Sequence, residues 1–314
     1  MNYTFPLVSV IIPGYNYGKY LRQRIDSVLQ QDYPNIEVIL LDDCSTDDSQ
    51  EIMLSYKDNP KISHIAFNEI NSGNPFVQWD KGIALAKGDY IWIAEADDYA
   101  DKDFVSSLMQ ELLKDKETVI AFSHSIMVNA QGCPMNYSWD TLYRNKKPIL
   151  YNGHDFCLHR MVCTNKLYNA SMIIFRRESY NKITGEQYKK FNHSGDWLFW
   201  FLLTIQGKIC EIPKTLNYFR QHSQKVTVEA QRTGYNFDED AAIQTIITER
   251  LAFTNYQSCC LRGRQTKHLK KSNLERNMIN QLVEKHPKIY GGTFLDIITY
   301  TIDKISHRSG MYYK

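Results

Sequence analysis

The feature that most constrains the fold is a fourfold alternation of apolar runs and helix-like segments within about the first 115 residues. Runs such as Leu7–Ile12 and Ile36–Leu41 are short and apolar at almost every position, which is typical of strands buried on both faces. After a short connection, each run is followed by apolar residues at helical spacing, as in residues 19–31. The pattern predicts an α/β fold with a doubly wound, Rossmann-like, mostly parallel sheet.

One of these strands runs directly into a cluster of acids. Residues 90–94 are apolar or aromatic, and Glu95, Asp97 and Asp98 follow them within four positions. In an open α/β sheet, ligands bind just beyond the carboxyl ends of the strands. Acids crowded there repel one another unless a cation is bound. The stretch therefore indicates a hard divalent metal that holds a phosphorylated ligand.

Other polar residues also follow the ends of predicted strands, where the sheet would bring them to one edge. They are Tyr15 and Asn16, Asp42 and Asp43, and residues 68–73. No G-x-x-x-x-G-K-[ST] or G-x-G-x-x-G motif accompanies them, which argues against a P-loop enzyme and against an ordinary dinucleotide-binding domain. A nucleotide at this edge would be held by acidic loops and a metal.

The regular alternation lapses from Val119 onward. A later strand is predicted at residues 170–175, and Asp196 lies at the start of a very apolar helix. The last strands are predicted at 208–211 and 216–220, and helical segments follow to the end. We divide the chain into an α/β domain of residues 1–225, with halves of about 1–120 and 120–225, and a C-terminal helical region of residues 226–314.

The totals of the chain are those of an ordinary globular protein, with 43% hydrophobic and 23% charged residues. A formal net charge of +2 argues neither for nor against nucleic acid, and no nucleic-acid partner is expected. Seven scattered cysteines indicate reduced thiols. Without a signal-peptide pattern or an apolar run near the ~18 residues of a spanning helix, a cytoplasmic location is expected.

The motifs together resemble those of the family 2 glycosyltransferases, which are inverting enzymes with the GT-A fold. The resemblance covers roughly residues 7–225 and rests on five pieces in the right order. They are Val8–Asn16 (VSVIIPGYN), Asp42–Asp47 (DDCSTD), Asn71–Gly73 (NSG), Gly82–Asp89 (GIALAKGD) and Glu95–Asp98 (EADD). Later, Gly195-Asp196-Trp197 stands where the family carries its catalytic acid, usually written Glu-Asp.

The resemblance implies transfer of one sugar from a nucleoside-diphosphate sugar, with a UDP-sugar favoured, to an acceptor hydroxyl. A Mg²⁺ or Mn²⁺ would stabilise the leaving diphosphate as a Lewis acid. Asp97 would be the main metal-binding carboxylate, with Glu95 and His222 as further ligands. Glu95 departs from the Asp that is usual there, because it keeps the charge on a longer side chain.

The resemblance also implies a donor-binding set. Tyr15 and the Pro13 backbone would flank the base, and Asp42 or Asp43 would accept the uracil imide hydrogen. The sequence leaves the choice between these two aspartates open. The other donor-binding positions would be Asn16, Asn71, Gly73, Trp79, Glu95, Ala96 and Arg220. Trp79 replaces an Arg that binds phosphate in many relatives, and would either stack on a ligand or pack in the protein.

Asp196 would be the general base, because inversion by direct displacement needs only one. A carboxylate beside an apolar helix resists ionisation through desolvation, whereas the helix N-terminus stabilises its charge. Arg220 and His222 would approach the diphosphate or the metal, and neutral imidazole is a suitable ligand.

The acceptor would be a carbohydrate or a lipid-linked glycan of bacterial surface polysaccharide or lipopolysaccharide. No Q-x-x-R-W segment is present, which favours a non-processive enzyme. The basic C-terminal helices suit either peripheral contact with the inner membrane face or a homodimer. Two rival hypotheses are a metal-dependent nucleotidyltransferase and a non-catalytic nucleotide-sugar-binding module. The first would need a Gly-rich basic loop after the first strand, and the intact acids argue against the second.

Overall fold

The structure, a computed structural model, describes residues 5–135, 147–185, 187–222 and 235–308. The chain forms two compact units, and each is described by itself below. The first comprises Met1–Asn152, Asn169–Lys189 and Gln206–His222; the second comprises Gly153–Tyr168, Lys190–Ile205 and Ser223–Lys314. This division differs from the predicted one, because residues 153–168 and 190–205 group with the C-terminal helices. The predicted boundary at residue 225 lies outside the described residues.

Nine strands of the described residues form a single sheet in the first unit. Its order is β3-β2-β1-β4-β8-β6-β9-β5, with β7 paired to β9. Strands β3, β2, β1 and β4 are mutually parallel, whereas β8 runs antiparallel to both β4 and β6. The strands are β1 Val8–Gly14, β2 Ile36–Asp42, β3 Ile62–Phe67, β4 Tyr90–Ile93, β5 Tyr99–Ala100, β6 Thr118–Val128, β7 Ile149–Asn152, β8 Ile173–Arg176 and β9 Lys208–Arg220.

Helices cover both faces of the parallel strands, which confirms the predicted doubly wound α/β sheet. They are α1 Gly18–Leu29, α2 Ser49–Leu54, α3 Pro75–Leu85 and α4 Phe104–Leu112. Val10 of β1 belongs to the apolar core that α1 and α4 help to form. A Cβ atom added to Gly82 of α3 would lie 2.3 Å from Cγ2 of Ile11, so α3 packs closely on β1. Successive strand residues point to opposite faces, and both faces of β1 are covered, which is why β1 is apolar at every position except the hydrogen-bonded Ser9 and Gly14.

Local sequence explains where α3 begins. Asn74 is its N-cap, and the Asn74 side chain accepts a hydrogen bond from the Phe76 N–H at 2.9 Å. Pro75 occupies the first helical position, where its missing N–H costs nothing. This start matters for the site, because the first turns of α3 carry Gln78 and Trp79.

The second unit is helical in its described residues. A helix at Gly153–Phe156 continues as a π-helical turn at Cys157–Met161. Its longer helices are α5 Gly195–Thr204, α6 Tyr235–Arg250, α7 Asn255–Lys270, α8 Arg276–Lys285 and α9 Phe294–Ser306. Helix α5 is buried along almost its whole length and contacts both the π-helical turn and α6. Trp197 also donates from Nε1 to the Met161 carbonyl at 2.8 Å.

Helix α9 has an unusual distribution of side chains. Its two acids, Asp296 and Asp303, are buried, where Arg262 and Tyr256 donate hydrogen bonds to them. The opposite face exposes five large apolar side chains, which are Phe294, Leu295, Ile298, Ile302 and Ile305. Within the described residues, no helix combines the length and apolar character needed to cross a membrane.

Some elements differ from the sequence prediction. The two strands predicted at 208–211 and 216–220 are one strand, β9, and Pro213 lies where its register with β6 shifts. Proline is tolerated at such an irregularity because no ladder hydrogen bond is required of it there. The helical segments predicted after β9 begin, in the described residues, with α6, which ends at Arg250, and α7 begins after a Thr254 cap.

Candidate active site

The strand order places a crevice at the carboxyl ends of β1 and β4. Strand β1 pairs with β2 on one side and with β4 on the other, and open α/β sheets bind ligands where strand order reverses in this way. Tyr15 and Asn16 follow β1, and the acidic loop Glu95–Asp98 follows β4. Ala96 packs against Gly14, since its Cβ lies 3.5 Å from the position of a Cβ on that glycine. The structure thus brings these two predicted groups together.

Asp97 and His222 form the part of the site best suited to a cation. Oδ2 of Asp97 lies 3.0 Å from Nε2 of His222, and the side chains are 10% and 4% exposed. The imidazole packs between Tyr17 and Tyr20, with ring centroids 5.6 and 5.5 Å away. A carboxylate oxygen and an imidazole nitrogen are acceptable ligands for Mg²⁺ or Mn²⁺.

The predicted three-ligand set of Asp97, Glu95 and His222 is not assembled. Over the described ranges, no group of three or more His, Cys, Asp or Glu residues is arranged to hold a metal. Two protein ligands fit Mg²⁺, because it normally keeps several waters and takes substrate phosphate oxygens. The residues therefore suit a cation that arrives with a diphosphate rather than one held by the protein alone.

Glu95 is turned toward Trp79. The Trp79 indole is 3% exposed, packs edge-on against Phe76, and donates from Nε1 to Oε1 of Glu95 at 2.9 Å. Burial raises the pKa of Glu95 to about 8, and the nearby charge of Asp97 adds to the rise. Trp79 therefore packs in the protein and contacts Glu95, which is one of the two roles left open by the sequence. Its part in donor binding stays a prediction.

Arg220, on β9, supports the acidic loop Glu95–Asp98 through hydrogen bonds. Its side chain is 2% exposed, and its Nε donates to the Asp97 carbonyl at 2.7 Å. Nη1 donates to the Ala130 carbonyl at 3.1 Å, and Nη2 donates to Oε1 of Gln23 at 2.6 Å. All three nitrogens thus have protein acceptors, and Arg220 supports the Asp97 backbone. Its contact with a diphosphate stays a prediction.

Asp98 is also a structural member of the loop. Its Oδ1 accepts the Arg220 N–H at 2.9 Å, and its Oδ2 accepts from Nδ2 of Asn169 at 2.7 Å. Ser171, two residues beyond Asn169, accepts the Glu95 N–H at 3.0 Å. The segment before β8 therefore fixes both ends of the acidic loop, a role that was not predicted from the sequence.

Arg24 is a charged residue of the site that was also not predicted from the sequence. It is fully buried, its Nε donates to the Glu95 carbonyl at 2.8 Å, and its Nη2 lies 4.0 Å from Oδ2 of Asp98. Burial lowers the pKa of Arg24 to about 10, against the opposing effect of the acids. The sequence does contain one indication that Arg24 is buried, because it lies on the otherwise apolar face of α1 between Leu21 and Ile25.

Asp42 and Asp43 have different environments at the end of β2. Asp42 is fully buried, and its Oδ2 accepts from the Ser45 N–H and from Nε2 of Gln50. Asp43 retains 6% exposure. Its carboxylate accepts from Gln78, Asn68 and Ser72 at 2.6–3.2 Å.

The loop of residues 68–74 is built around Asp43. Nδ2 of Asn71 donates to the Asp43 carbonyl at 3.0 Å, while its Oδ1 accepts the Gly73 N–H at 2.7 Å. Gly73 has a φ of 67°, in the left-handed region that glycine tolerates best. Asn71 and Gly73 thus shape the loop beside Asp43.

The predicted base-flanking residues lie at the end of β1. Pro13 is buried, whereas Tyr15 is 44% exposed. Asn16 has a φ of 57°, its N–H donates to Oγ of Ser45, and its Oδ1 accepts the Thr46 N–H. Asn16 therefore ties the loop after β1 to the loop after β2, and Tyr15 is the side chain of this pair that a planar ligand could meet.

Asp196 belongs to the second unit, in the first turn of α5. Oδ2 of Asp196 accepts from Nδ2 of Asn165 at 2.9 Å, and Oδ1 accepts the Trp197 N–H at 2.8 Å. Burial raises the pKa of Asp196 to about 7, which these two hydrogen bonds oppose. A carboxylate with a pKa near neutrality is suited to accept a proton.

The chain is similar in sequence to known glycosyltransferases. The sequence matches the glycosyl transferase family 2 domain over residues 9–184. It is 26% identical over 271 residues to glycosyltransferase GlyG of Streptococcus pneumoniae, covering 82% of each protein. It is 32% identical over 154 residues to chondroitin synthase of Pasteurella multocida, covering 48% of this chain but only 16% of that protein.

A solved structure confirms the expected GT-A fold. The crystal structure of residues 1–349 of S. aureus TarS in complex with UDP-GlcNAc superposes with a TM-score of 0.67 at 19% identity. The match covers 98% of this chain and 93% of the TarS chain.

Proposed function

The chain belongs to glycosyltransferase family 2, and on that premise we propose that it transfers a single sugar, with inversion, from a nucleoside-diphosphate sugar to a glycan hydroxyl. A UDP-sugar is the favoured donor, and a bacterial surface polysaccharide or lipid-linked glycan is the favoured acceptor. The observation that carries the donor half is the pairing of Asp97 with His222 at the carboxyl end of the parallel sheet.

Asp97 and His222 would hold a divalent cation together with the donor diphosphate. When bound, Mg²⁺ or Mn²⁺ supplies charge stabilisation for the leaving diphosphate. The surrounding protein residues have a separate role, because Arg220, Arg24 and Asn169 keep the acidic loop in place through the bonds described above. A cation site that is preorganised in this way favours the charge distribution of the transition state.

The nucleobase would lie between the loops after β1 and β2. Tyr15 offers an exposed ring for stacking. Asp43 is 6% exposed to solvent, whereas Asp42 is fully buried. We therefore favour Asp43 as the acceptor of the uracil imide hydrogen. Asp42, which accepts from Ser45 and Gln50, would shape the loop.

Asp196 would act as the general base. Its carboxylate takes the proton of the acceptor hydroxyl as that oxygen attacks the anomeric carbon from the side opposite the leaving group. The bond between the anomeric carbon and the diphosphate oxygen breaks with its electron pair on the diphosphate, and UDP leaves. One base and one displacement invert the anomeric configuration.

The test is release of UDP from a panel of UDP-sugars with Mn²⁺ or with EDTA. We expect turnover only with the cation.

Asp196→Asn should retain UDP binding and lose roughly 10²- to 10⁴-fold in kcat. Asp155→Asn, which changes a well-exposed acid of the same unit, is the matched control and should be unaffected. Full turnover by Asp196→Asn would contradict the base assignment, and equal turnover in EDTA would contradict the metal.

Peripheral membrane contact and a homodimer stay predictions. The exposed apolar face of α9 is the surface that either association would use. Vesicle co-sedimentation and sedimentation equilibrium of Ile302→Ser against the unaltered chain would test both.

A further inference from the structure

Two consecutive acids on helix α6 hold the segment that leads into Asp196. Oε1 of Glu239 accepts the Asn192 N–H, and Oε2 accepts the N–H groups of His193 and Ser194, each at 2.8 Å. Three successive backbone donors are thus taken by one carboxylate. Such charge-assisted bonds are stronger than neutral ones and fix the path of the chain.

Asp240 makes the next contact. Its Oδ1 accepts from Oγ of Ser194 at 2.7 Å, just before the N-terminus of α5. Asp196 lies two residues farther along, in the first turn of that helix. Glu239 and Asp240 therefore determine where α5 begins, and with it where the Asp196 carboxylate points.

Asp240 also affects the charge of Asp196. Among the charged groups around Asp196, Asp240 on α6 acts on it most strongly and raises its pKa, after the larger effect of burial. Burial also raises the pKa of Asp240, to about 6, and the hydrogen bond from Ser194 opposes this rise. The other titratable groups on the packed elements lie in the same loop, on α6 and on residues 153–161, with Tyr290 near Asp240. They are His193 in the loop, Asp238, Glu239, Glu249 and Arg250 on α6, and His154, Asp155, Cys157, His159 and Arg160 on residues 153–161.

We propose that Glu239 and Asp240 are positioning residues for Asp196, so that helix α6 of the C-terminal region takes part in sugar transfer. Glu239 fixes the segment that enters α5, and the negative charge of Asp240 makes Asp196 a stronger base. The proposal rests on the role of Asp196 given above. It assigns a catalytic contribution to a part of the chain beyond residue 184, where the family match ends.

The decisive experiment is the pH profile of kcat/KM for UDP release by Asp240→Asn. The amide can still accept from Ser194 but carries no charge. We expect the acidic limb of the profile to move down by about half a pH unit or more, because a neighbouring negative charge no longer opposes ionisation of Asp196. Asp240→Glu, which keeps the charge, should restore the limb toward that of the unaltered enzyme.

Two further variants separate charge from position. Ser194→Ala removes the hydrogen bond and keeps the Asp240 carboxyl group, so it should lower kcat while moving the acidic limb less than Asp240→Asn does. Glu239→Gln should lower kcat about ten- to a hundredfold through misplacement of the base, with little change in donor KM.

The matched control is Asp238→Asn, on the same helix. Asp238 binds Lys285 and His286 at 2.7 and 2.6 Å instead of the residues before α5. Its profile should coincide with that of the unaltered enzyme. This inference is wrong if the acidic limb of the Asp240→Asn profile coincides with that of the Asp238→Asn profile while Asp196→Asn is inactive. The assignment of Asp196 as the general base would then be unaffected.

Other outcomes are equally informative. Full activity in Asp196→Asn would remove the base assignment and this inference with it. If Asp240→Asn fails to fold by circular dichroism, Asp240→Ser, which is also uncharged, takes its place. A lowered acidic limb in Asp240→Ser supports the role of charge, and a limb like that of the unaltered enzyme contradicts it.

Discussion

The ionisation of Glu95 makes the free energy of unfolding of the protein depend on pH. Its pKa in the folded chain is about 8, against 4.5 for an ordinary glutamate, because of burial and the charge of Asp97. Between these two values, the unfolded chain has released the proton while the folded chain keeps it. A rise in pH through this window therefore lowers the free energy of unfolding.

The variant Glu95→Gln should remove this dependence. In EDTA, we expect it to be more stable than the unaltered chain at about pH 8.5, by on the order of 2 kcal/mol, and of similar stability near pH 5. The amide oxygen can still accept from Trp79. Urea unfolding at both pH values measures the difference, and Glu51→Gln, at an exposed position, is the control. An equal stability difference at both pH values would contradict the raised pKa.

The side chains of the site were only partly predictable from sequence. Asp97 stands out locally, because it follows a buried strand within a dense group of acids. Arg24 acts through Glu95 and Asp98, which are more than 70 positions away, so no local pattern reveals its partners. The structural role of Arg220 is not predictable from sequence, since its acceptors at Gln23 and Ala130 meet it only in the folded chain.

At the scale of elements, the contact of α3 with β1 sets the spacing of the layer that carries Gln78 and Trp79. Gly82 allows this contact, because a Cβ there would lie 2.3 Å from Cγ2 and 3.0 Å from Cγ1 and Cδ1 of Ile11. The clash would be with a buried side chain in a packed core, which cannot move away without cost.

Gly82→Ala should therefore destabilise the protein by roughly 1–3 kcal/mol, despite the better helix propensity of alanine. Ile11→Ala should cost about 2–5 kcal/mol on its own. The double variant should cost clearly less than the sum, since it makes room for the new methyl group. Urea unfolding of the four proteins measures this coupling. Strict additivity would show that Ile11 is not what restricts position 82.

The elements themselves were largely predictable where periodicity was strong. Strands β1 to β4 and helices α1 to α4 follow the alternation in the first 115 residues closely. Strand β9 is predicted as two strands, at 208–211 and 216–220, because the sequence does not show the register shift against β6 near Pro213 that lets one strand continue. The two-residue β5 depends on pairing with β9, which is a tertiary contact.

At the scale of the whole molecule, the second unit is assembled from three separate stretches of chain. Helix α5, with Asp196 in its first turn, contacts α6, whose Ala241, Ile243 and Ile247 are fully buried. A chain cut at residue 225 would keep α5 and lose α6. The sequence placed a domain boundary there because composition changes, but composition does not report which helices pack together.

The truncated protein 1–225 should therefore be poorly soluble or aggregated, since the apolar face of α5 would lose its cover. Size-exclusion chromatography and urea unfolding against the full chain test this. A monomeric, cooperatively unfolding 1–225 protein with turnover would contradict the expectation, and would show that residues 226–314 are dispensable.

The bond between Trp79 and Glu95 also provides an optical probe of the site. Indole emission responds to charge and hydrogen bonding at Nε1, and this indole donates to the carboxyl group of Glu95 beside Asp97. Binding of a cation and a diphosphate would change the electric field at the indole ring. Trp79 is one of five tryptophans, so difference spectra against Trp79→Phe would isolate its signal. The protein thus carries a built-in reporter with which candidate donors can be screened without any label.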